Sequence, residues 1–249
     1  MSPAVSTLDV SYATFADSPL LRQVHGADYF NVGWWDGRPA DPSVALLDRL
    51  LHWTPPRIKT LVDVGCGRGA AAQRIHRHWP DARVVAVDRC AAMLSQFAAP
   101  PTGTPGPAPV RADATALPLR TGGADVVLCV EAALHFDSRQ AFLREAARVL
   151  RPGGRLVLTD VLVDPTVAGW APMVPTANTE RTLPQYAASL VRAGLYVVEI
   201  LDVTAATWTP YTRALVAAAA RQSPDAAATV QRLLDERPVY SYVEAVALR

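Results

Sequence analysis

Three aspartates at the ends of predicted strands could bind one ligand together. Asp63 comes two residues before the glycine-rich run Gly65–Gly69, and Asp88 and Asp113 end two later apolar stretches. Glycines allow a ligand to approach the backbone closely, because a Cβ there would collide with it. Ligands of open α/β sheets bind at the carboxyl ends of the strands. Three carboxylates at that edge suit a cationic nucleoside with free hydroxyls.

Asp63 discriminates between two classes of nucleotide cofactor. The spacing Gly65-x-Gly67-x-x-Ala70 also fits the dinucleotide-binding fingerprint, so the glycines alone leave both classes open. A dinucleotide would place its pyrophosphate over the glycine turn, where the anion of Asp63 would oppose it. A ligand with an ammonium or sulfonium group is favoured there instead. S-adenosylmethionine carries both, together with ribose hydroxyls and an adenine amine for the two later aspartates.

A second group of residues could move a proton. His135 lies in the loop after the fourth predicted strand, and Asp160 lies near the end of the fifth. Neighbouring parallel strands end at the same edge, so both side chains can meet above the sheet. We therefore expect His135 to act as a general base that Asp160 orients, with Glu131 as an alternative base. The competing interpretation is that His135 only lines the cleft.

The elements that must position these residues follow one pattern. Apolar strands alternate with helices over Leu61–Val163, which predicts a parallel sheet with right-handed crossovers. Two late strands are predicted at Tyr196–Val203 and Tyr240–Leu248, with a helical stretch at Thr212–Glu236 between them. Without repeats or a second core, we expect a single domain over residues 1–249. Its parts are an N-terminal lid or helical segment (1–54), a cofactor-binding core (55–163), and an acceptor-side insertion with C-terminal strands (164–249).

Composition excludes several function classes. The chain has 24 Lys and Arg against 23 Asp and Glu, a net charge of +1, which gives no electrostatic case for nucleic acid or an anionic membrane. Its three cysteines, Cys66, Cys90 and Cys129, have no metal-type spacing and favour a reducing, cytoplasmic location. We expect no membrane-spanning segment and no signal peptide. The other four histidines, His25, His52, His76 and His78, are expected at the surface.

The ordered motifs resemble class I S-adenosylmethionine-dependent methyltransferases. They are Val62–Gly69, Asp88 followed by Met93, Asp113-Ala114, Asp125–Phe136 and Val149–Gly154. The resemblance implies an α/β, Rossmann-like three-layer sandwich: a seven-stranded, mostly parallel sheet whose last strand is antiparallel, under a helical N-terminal lid. Two further segments, Tyr29–Trp35 (YFNVGWW) and Glu131–Phe136 (EAALHF), resemble the natural-product, quinone and lipid branch of the family.

The resemblance implies a site for S-adenosyl-L-methionine, whose product is S-adenosyl-L-homocysteine. The expected cofactor-binding residues are Tyr29, Trp35, Asp63, Gly65, Cys66, Gly67, Asp88, Arg89, Met93, Asp113, Ala114 and Val130. The expected substrate-binding residues are Phe30, Trp34, Phe136 and Trp170. We expect no metal, because Asp160 is followed by Val161 rather than by the Asp-Asn pair of magnesium-dependent catechol-type relatives.

The expected reaction is methylation of a small-molecule acceptor, favoured as a hydroxyl of an aromatic or natural-product compound. One alternative is N- or C-methylation through proximity or through Glu131. A remoter alternative is a catalytically silent cofactor-binding protein or a nicotinamide-dependent enzyme. Arg181 could bind an acidic group, although lone exposed arginines usually bind water. A homodimer is possible.

Overall fold

A twisted sheet with helices on both faces organises the chain. The computed structural model describes residues 18–25, 29–37, 41–97 and 105–249, so the expected N-terminal lid lies partly outside the described residues. The strands are β1 (Thr60–Val64), β2 (Arg83–Asp88), β3 (Ala108–Arg111), β4 (Ala124–Val130), β5 (Leu150–Val163), β6 (Tyr196–Asp202) and β7 (Val239–Leu248). The helices are α1 (Pro19–His25), α2 (Pro42–Leu51), α3 (Ala70–His78), α4 (Ala91–Leu94), α5 (Arg139–Val149), α6 (Leu183–Arg192), α7 (Trp208–Ala220) and α8 (Pro224–Asp235).

The described strands form one seven-stranded sheet in the order β3-β2-β1-β4-β5-β7-β6. β1 pairs in parallel with β2 and β4, and β4 pairs in parallel with β5. The final strand β7 is antiparallel to both of its neighbours, β5 and β6. The predicted fold class is therefore confirmed. The order also places the carboxyl ends of β1, β4 and β5 side by side, where the candidate residues lie.

Alternation along the strands produces a core on each face of the sheet. In β1, Leu61 belongs to one hydrophobic cluster and Val62 to the other, and all of β1 after Thr60 is buried. Helices α2 and α3 pack on the first face, through Leu46 and Ile75 among others. Helices α5 and α6 pack on the second, through Phe142 among others. Strands that bury both faces are continuously apolar, which explains the composition of the central strands.

Residues 164–182 and helices α7 and α8 lie over the carboxyl edge of this sheet, and together they are called the roof below. Residues 164–182 form turns rather than a helix or strand, and Trp170 is buried within them. Helices α7 and α8 form a hairpin, and α8 has no buried residue although it carries a row of apolar side chains. No helix in the described part of the chain has the length and apolar character needed to cross a membrane.

Candidate active site

A cavity of about 780 Å³ lies over the carboxyl ends of β1, β2 and β4. One end is formed by the glycine turn and the strand-end acids, and the other by α1, α7, α8 and residues 169–173. Most of the residues that the sequence predicts for the cofactor and the acceptor line this cavity. They are Tyr29, Phe30, Asp63, Gly65, Cys66, Gly67, Asp88, Arg89, Met93, Asp113, Ala114, Val130, Glu131, His135, Phe136 and Trp170.

The glycine turn after β1 requires its glycines. Gly65 has a φ of +79°, and a Cβ on it would collide with the Cβ of Ala132. Its amide donates to the carbonyl of Val87 at 2.8 Å, which ties the turn to the end of β2. A side chain at Gly65 would therefore combine a disfavoured backbone conformation with a clash. The turn stays narrow and presents its backbone to the cavity.

Asp63 is a buried acid with an unused oxygen. Its side chain is 2% exposed, and within the described residues its Oδ2 has no hydrogen-bond partner. Burial, reinforced by the charge of Asp88, raises the pKa of Asp63 to about 7. An isolated buried carboxylate is costly, and a cation placed beside it removes that cost. The ammonium group of S-adenosylmethionine is such a cation.

The other two strand-end acids are held in place by backbone donors. Asp88 accepts from the amides of Gly67 and Cys90, both at 2.8 Å, so it is oriented against the glycine turn. Asp113 accepts from the amide and the hydroxyl of Thr115 at 2.7 and 2.6 Å. Both line the cavity, where they could accept from ribose hydroxyls and from an adenine amine. The donor set thus fits S-adenosylmethionine.

His135 has a defined tautomer at the boundary between the two ends. It closes a 3₁₀ turn, Ala133–His135, directly after β4, and its Nδ1 lies 2.8 Å from the carbonyl oxygen of Met173. A carbonyl can only accept, so Nδ1 carries the proton. Burial lowers the pKa of His135 to about 4, against raising contributions from Met173 and Asp160. The imidazole is therefore neutral at physiological pH, with its basic lone pair on Nε2.

The expected orientation of His135 by Asp160 is wrong, because the carboxylate makes its hydrogen bonds to other groups. Asp160 is fully buried, and its Oδ2 accepts from Arg139 Nε at 2.6 Å and from the hydroxyl of Tyr186 at 2.9 Å. Its Oδ1 accepts from the amide of Val161, and Asp160 does not line the cavity. The reason is that the Arg139 side chain extends to the end of β5, where its ion pair compensates the charge of Asp160. Asp160 acts on His135 only as a nearby charge.

Asn178, which the sequence did not indicate, positions the turn that contains His135. Asn178 is 1% exposed, and its Nδ2 donates to the carbonyls of Leu134 and Phe136, both at 2.9 Å. Its Oδ1 accepts from the amide of Arg139 at 2.7 Å. One amide side chain therefore holds the residues on both sides of His135. No sequence pattern marks Asn178, because it comes from the irregular segment after β5.

Glu131 is shared between the cavity wall and the N-terminal segment. Its Oε1 accepts from the amide of Val32 at 2.8 Å and from the hydroxyl of Tyr242. Burial raises the pKa of Glu131 to about 8 despite these two donors. Glu131 also has a φ of +53°, an unusual conformation for a residue with a side chain. Such backbone geometry persists where surrounding contacts enforce it.

The two tryptophans expected in the site lie outside it. Trp34 and Trp35 are absent from the residues that line the cavity. The Arg49 guanidinium stacks over the Trp34 ring at 4.1 Å, and Trp35 Nε1 donates to the carbonyl of Val32 at 2.8 Å. Both rings pack against the core on the face of α2. The expected contacts of Trp35 with cofactor and Trp34 with acceptor are therefore corrected to packing roles.

The far end of the cavity is mostly apolar, and its polar lining residues include His25, Tyr211 and Arg237. His25 was expected at the surface, yet it is 5% exposed and lines the cavity. Its Nδ1 lies 2.7 Å from the carbonyl of Asn31, and its Nε2 lies 3.0 Å from the hydroxyl of Tyr211. Because Nδ1 must donate to the carbonyl, Tyr211 donates to Nε2 in the neutral pair. The hydrogen bond between these two side chains joins α1 to α7 beside the cavity.

Metal ligands are not grouped in the described residues. Nowhere in the described ranges do three His, Cys, Asp or Glu side chains come together in a way that could hold a metal ion. All three cysteines are buried, and burial raises the pKa of the Cys66 thiol well above its usual range. Cys66 thus lines the cavity as a protonated thiol. The expectation of metal-independent chemistry stays a prediction.

Comparison with known proteins agrees with this geometry. A family model described as a methyltransferase domain matches residues 62–158. The chain is 32% identical over 233 residues to the 27-O-demethylrifamycin SV methyltransferase of Amycolatopsis mediterranei (strain S699), covering 85% of this chain and 82% of that protein.

Solved structures share the fold at lower identity. The crystal structure of the [4+2]-cyclase SpnF has a TM-score of 0.74 at 23% identity and covers 99% of this chain and 97% of its own. The geranyl diphosphate C-methyltransferase of Streptomyces coelicolor A3(2) has a TM-score of 0.70 at 20% identity, with both chains fully covered. That structure contains Mg²⁺, geranyl diphosphate and S-adenosyl-L-homocysteine.

Proposed function

The chain belongs to the S-adenosylmethionine-dependent methyltransferases that act on small molecules, and we propose that its acceptor group is a hydroxyl of an apolar natural product. The nicotinamide alternative is thereby set aside. Within the proposal, His135 removes the proton of the hydroxyl. The observation that carries it is the fixed tautomer of His135 at the boundary between the acid-lined and apolar ends of one cavity.

When bound, the cofactor supplies an electrophilic methyl group on sulfur, and the protein has to align the acceptor and exclude water. Asp63, Asp88 and Asp113 line the end of the cavity where the cofactor would be held. His135 accepts a proton at Nε2, and the carbonyl of Met173 keeps hold of Nδ1–H throughout. The nearby negative charge of Asp160 favours the positive charge that develops on the imidazole. Asp160 thereby supports the base without contacting it.

The lining of the far end supports an apolar acceptor of considerable size. Trp208, Leu215 and Leu234 are among its lining residues, and the apolar side chains of Val230 and Leu234 on α8 are only half-buried. A concave lining that is mostly apolar is typical of a site for an apolar small molecule. The relative from Amycolatopsis mediterranei is named for a hydroxyl-directed reaction on a rifamycin. A hydroxylated polyketide is therefore the first acceptor class to examine.

The test is methyl transfer from S-adenosylmethionine to a panel that pairs hydroxylated polyketides, including 27-O-demethylrifamycin SV, with amine and carbon-acid acceptors. Product NMR identifies the methylated atom. With a productive acceptor, His135→Gln should lower kcat by about a hundredfold, since a general base contributes that order of rate. S-adenosylhomocysteine affinity should stay unchanged. The matched control is His52→Gln on the exposed end of α2. Turnover that survives His135→Gln would remove the base role.

Glu131 supports a second candidate, N- or C-methylation. Its pKa of about 8 lies near the operating pH, where a base exchanges protons most readily. Glu131 is also among the residues that line the cavity. A methylated nitrogen or carbon in the product, together with loss of kcat in Glu131→Gln but not in His135→Gln, would favour this candidate over O-methylation.

A further inference from the structure

One arginine stands at the apolar end of the cavity. Arg237 follows α8 and lines the cavity together with Leu233 and Leu234. Its Nε donates to the carbonyl of Gly169 at 2.9 Å. Across the described residues, the two terminal nitrogens of Arg237 have no hydrogen-bond or ion-pair partner. Four N–H donors of a guanidinium are thus left for a ligand.

The position of Arg237 is fixed by the roof. A Cβ on Gly169 would lie 2.6 Å from Arg237 Cγ, so the arginine stem packs directly on the glycine backbone. The neighbouring Trp170 Nε1 donates to the carbonyl of Pro238 at 3.0 Å, which joins the same two segments a second time. The aliphatic part of the Arg237 side chain and its Nε are therefore held in place, while its two terminal nitrogens can still bind a ligand. This is the arrangement of a preorganised binding group.

The surroundings of Arg237 call for an anion. The cavity acids Asp63, Asp88 and Asp113 stand at the glycine-turn end, where Arg89 also lies and pairs with Asp137 at 3.0 Å. Around Arg237 the lining is mostly aromatic and aliphatic. In such a setting a guanidinium gains most from a carboxylate or another anionic oxygen, which it can bind with two parallel hydrogen bonds.

Arg181, the arginine that the sequence singles out for an acidic group, serves the protein itself. It donates to Asp164 Oδ1 at 2.9 Å and to the carbonyl of Val163 at 3.1 Å. Its charge is thus compensated within the turn after β5. The contrast leaves Arg237 as the cation at the acceptor end of the described lining.

We propose that Arg237 binds an anionic oxygen of the acceptor, so that the enzyme selects apolar molecules that carry one acidic group, such as a carboxylate or an ionised phenol. The inference rests on the proposed function, because it assumes that the apolar end receives the acceptor. It adds a charge requirement that the apolar walls alone would not impose.

The experiment compares two fluorescent ligands of nearly the same shape. Anilinonaphthalene sulfonate carries an anionic sulfonate, and N-phenylnaphthylamine lacks it; both gain fluorescence in apolar cavities. Affinities are measured for the wild type saturated with S-adenosylhomocysteine, and for Arg237→Gln, Arg237→Lys and the control Arg232→Gln on the exposed face of α8. Arg237→Gln should bind the sulfonate about tenfold more weakly, as expected for loss of a charge-assisted hydrogen bond. The uncharged ligand should be unaffected.

Arg237→Lys should restore part of the sulfonate affinity, because charge is regained without the fork. Four results would overturn the inference: equal losses for both ligands, no loss for either, the same loss in Arg232→Gln, or failure of the wild type to bind the sulfonate more tightly than the uncharged ligand. S-adenosylhomocysteine affinity of each variant reports folding. Failure of the proposed function would appear separately, as absence of methyl transfer to any hydroxylated acceptor.

Discussion

Strands β1 and β5 each carry a buried aspartate near the carboxyl end, but only the one on β5 has its charge compensated by a partner inside the protein. Asp63 after the middle of β1 leaves Oδ2 unused within the described residues, and its pKa is raised to about 7 by burial and by Asp88. Asp160 on β5 accepts from Arg139, Tyr186 and the amide of Val161. The strands are separated in the sheet only by β4.

The difference separates a binding group from a packing group. An acid whose charge is compensated inside the protein has nothing to gain from a ligand, whereas an uncompensated buried acid gains from a cation. Arg139 is 1% exposed, and although burial acts to lower its pKa, Asp160, Tyr186 and Glu180 hold that pKa above its usual value. Burial and residue type are alike at the two ends. The partner decides the role.

The largest expected effect is on the packed end. Arg139→Met should lower the free energy of unfolding by about 3–5 kcal/mol, because it leaves Asp160 and Glu180 as unpaired buried acids. Urea denaturation measures the loss. The control Arg144→Met changes an exposed charge on the same helix and should stay within about 0.5 kcal/mol of the wild type. A loss below about 1 kcal/mol would contradict the assignment of Asp160 to packing.

The matching change at the open end should act on binding instead. Asp63→Asn should weaken S-adenosylhomocysteine binding by about thirtyfold, since the ammonium group loses a charge-assisted partner. The free energy of unfolding should not fall, because an unpaired buried acid is removed. Calorimetric titration and urea denaturation are the two measurements, with Asp81→Asn at an exposed turn as control. A loss of affinity below about threefold would show that Asp63 does not hold the cofactor.

Acidity should distinguish the two ends further. With a pKa of about 7, Asp63 is mostly protonated at pH 6 and mostly ionised at pH 7.5, so S-adenosylhomocysteine should bind roughly eightfold more tightly at the higher pH. Binding at pH 6 should release close to one proton, which titrations in buffers of different ionisation enthalpy measure. Asp63→Asn should show neither effect. Persistence of proton release in Asp63→Asn would assign it to another group.

Stability of the ligand-free protein should move in the opposite direction. Asp63 has a folded pKa of about 7, above its ordinary value of 3.8, so the fold favours its protonated form. That contribution is fully present below about pH 4 and is lost as pH rises to about 7, with a slope of at most about 1.4 kcal/mol per pH unit. Glu131, with a pKa of about 8, acts with the same sign. Asp63→Asn should flatten the profile.

The smallest predicted effect tests whether the packed end reaches the chemistry. Asn178→Ala should lower kcat about fivefold, part of what the base supplies, because the turn of His135 loses its two amide contacts. S-adenosylhomocysteine affinity should be unchanged. An altered pH profile of kcat would separate mispositioning of His135 from general destabilisation. An effect on affinity rather than kcat would instead link Asn178 to the cofactor end.

Particular residues show how far sequence reasoning reached. Asp63, Gly65 and Asp88 lie within one strand-turn-helix unit and its neighbour, so their meeting at one edge followed from the parallel pairing of β1 and β2. The expected partner of His135 was wrong because strand adjacency constrains backbones, not which side chain reaches an acid first. The contacts predicted for Trp34 and Trp35 were wrong because aromatic residues beside glycines occur both in lids over a site and in segments that pack on the core.

The roof was the least accessible region. Met173 and Asn178 come from turns after β5, and Arg237 comes from the turn after α8. None of these segments has a period or a motif. The contacts of Met173 and Asn178 with the His135 turn span about forty residues, and that of Arg237 with Gly169 spans 68. Side-chain amides and backbone carbonyls leave no compositional signal, since any residue supplies a carbonyl.

The sheet, the glycine turn and the acids above it could be predicted from the amino-acid sequence, because strand period, turn glycines and strand-end positions are local properties. The sequence also carried the family resemblance, which the comparisons confirmed. The packed structure was needed to show that Asp63 Oδ2 has no hydrogen-bond partner among the described residues, that Arg139 compensates the charge of Asp160, and that Met173 rather than Asp160 orients His135. Those outcomes depend on which distant groups arrive within hydrogen-bond reach, and only the packed chain sets those distances.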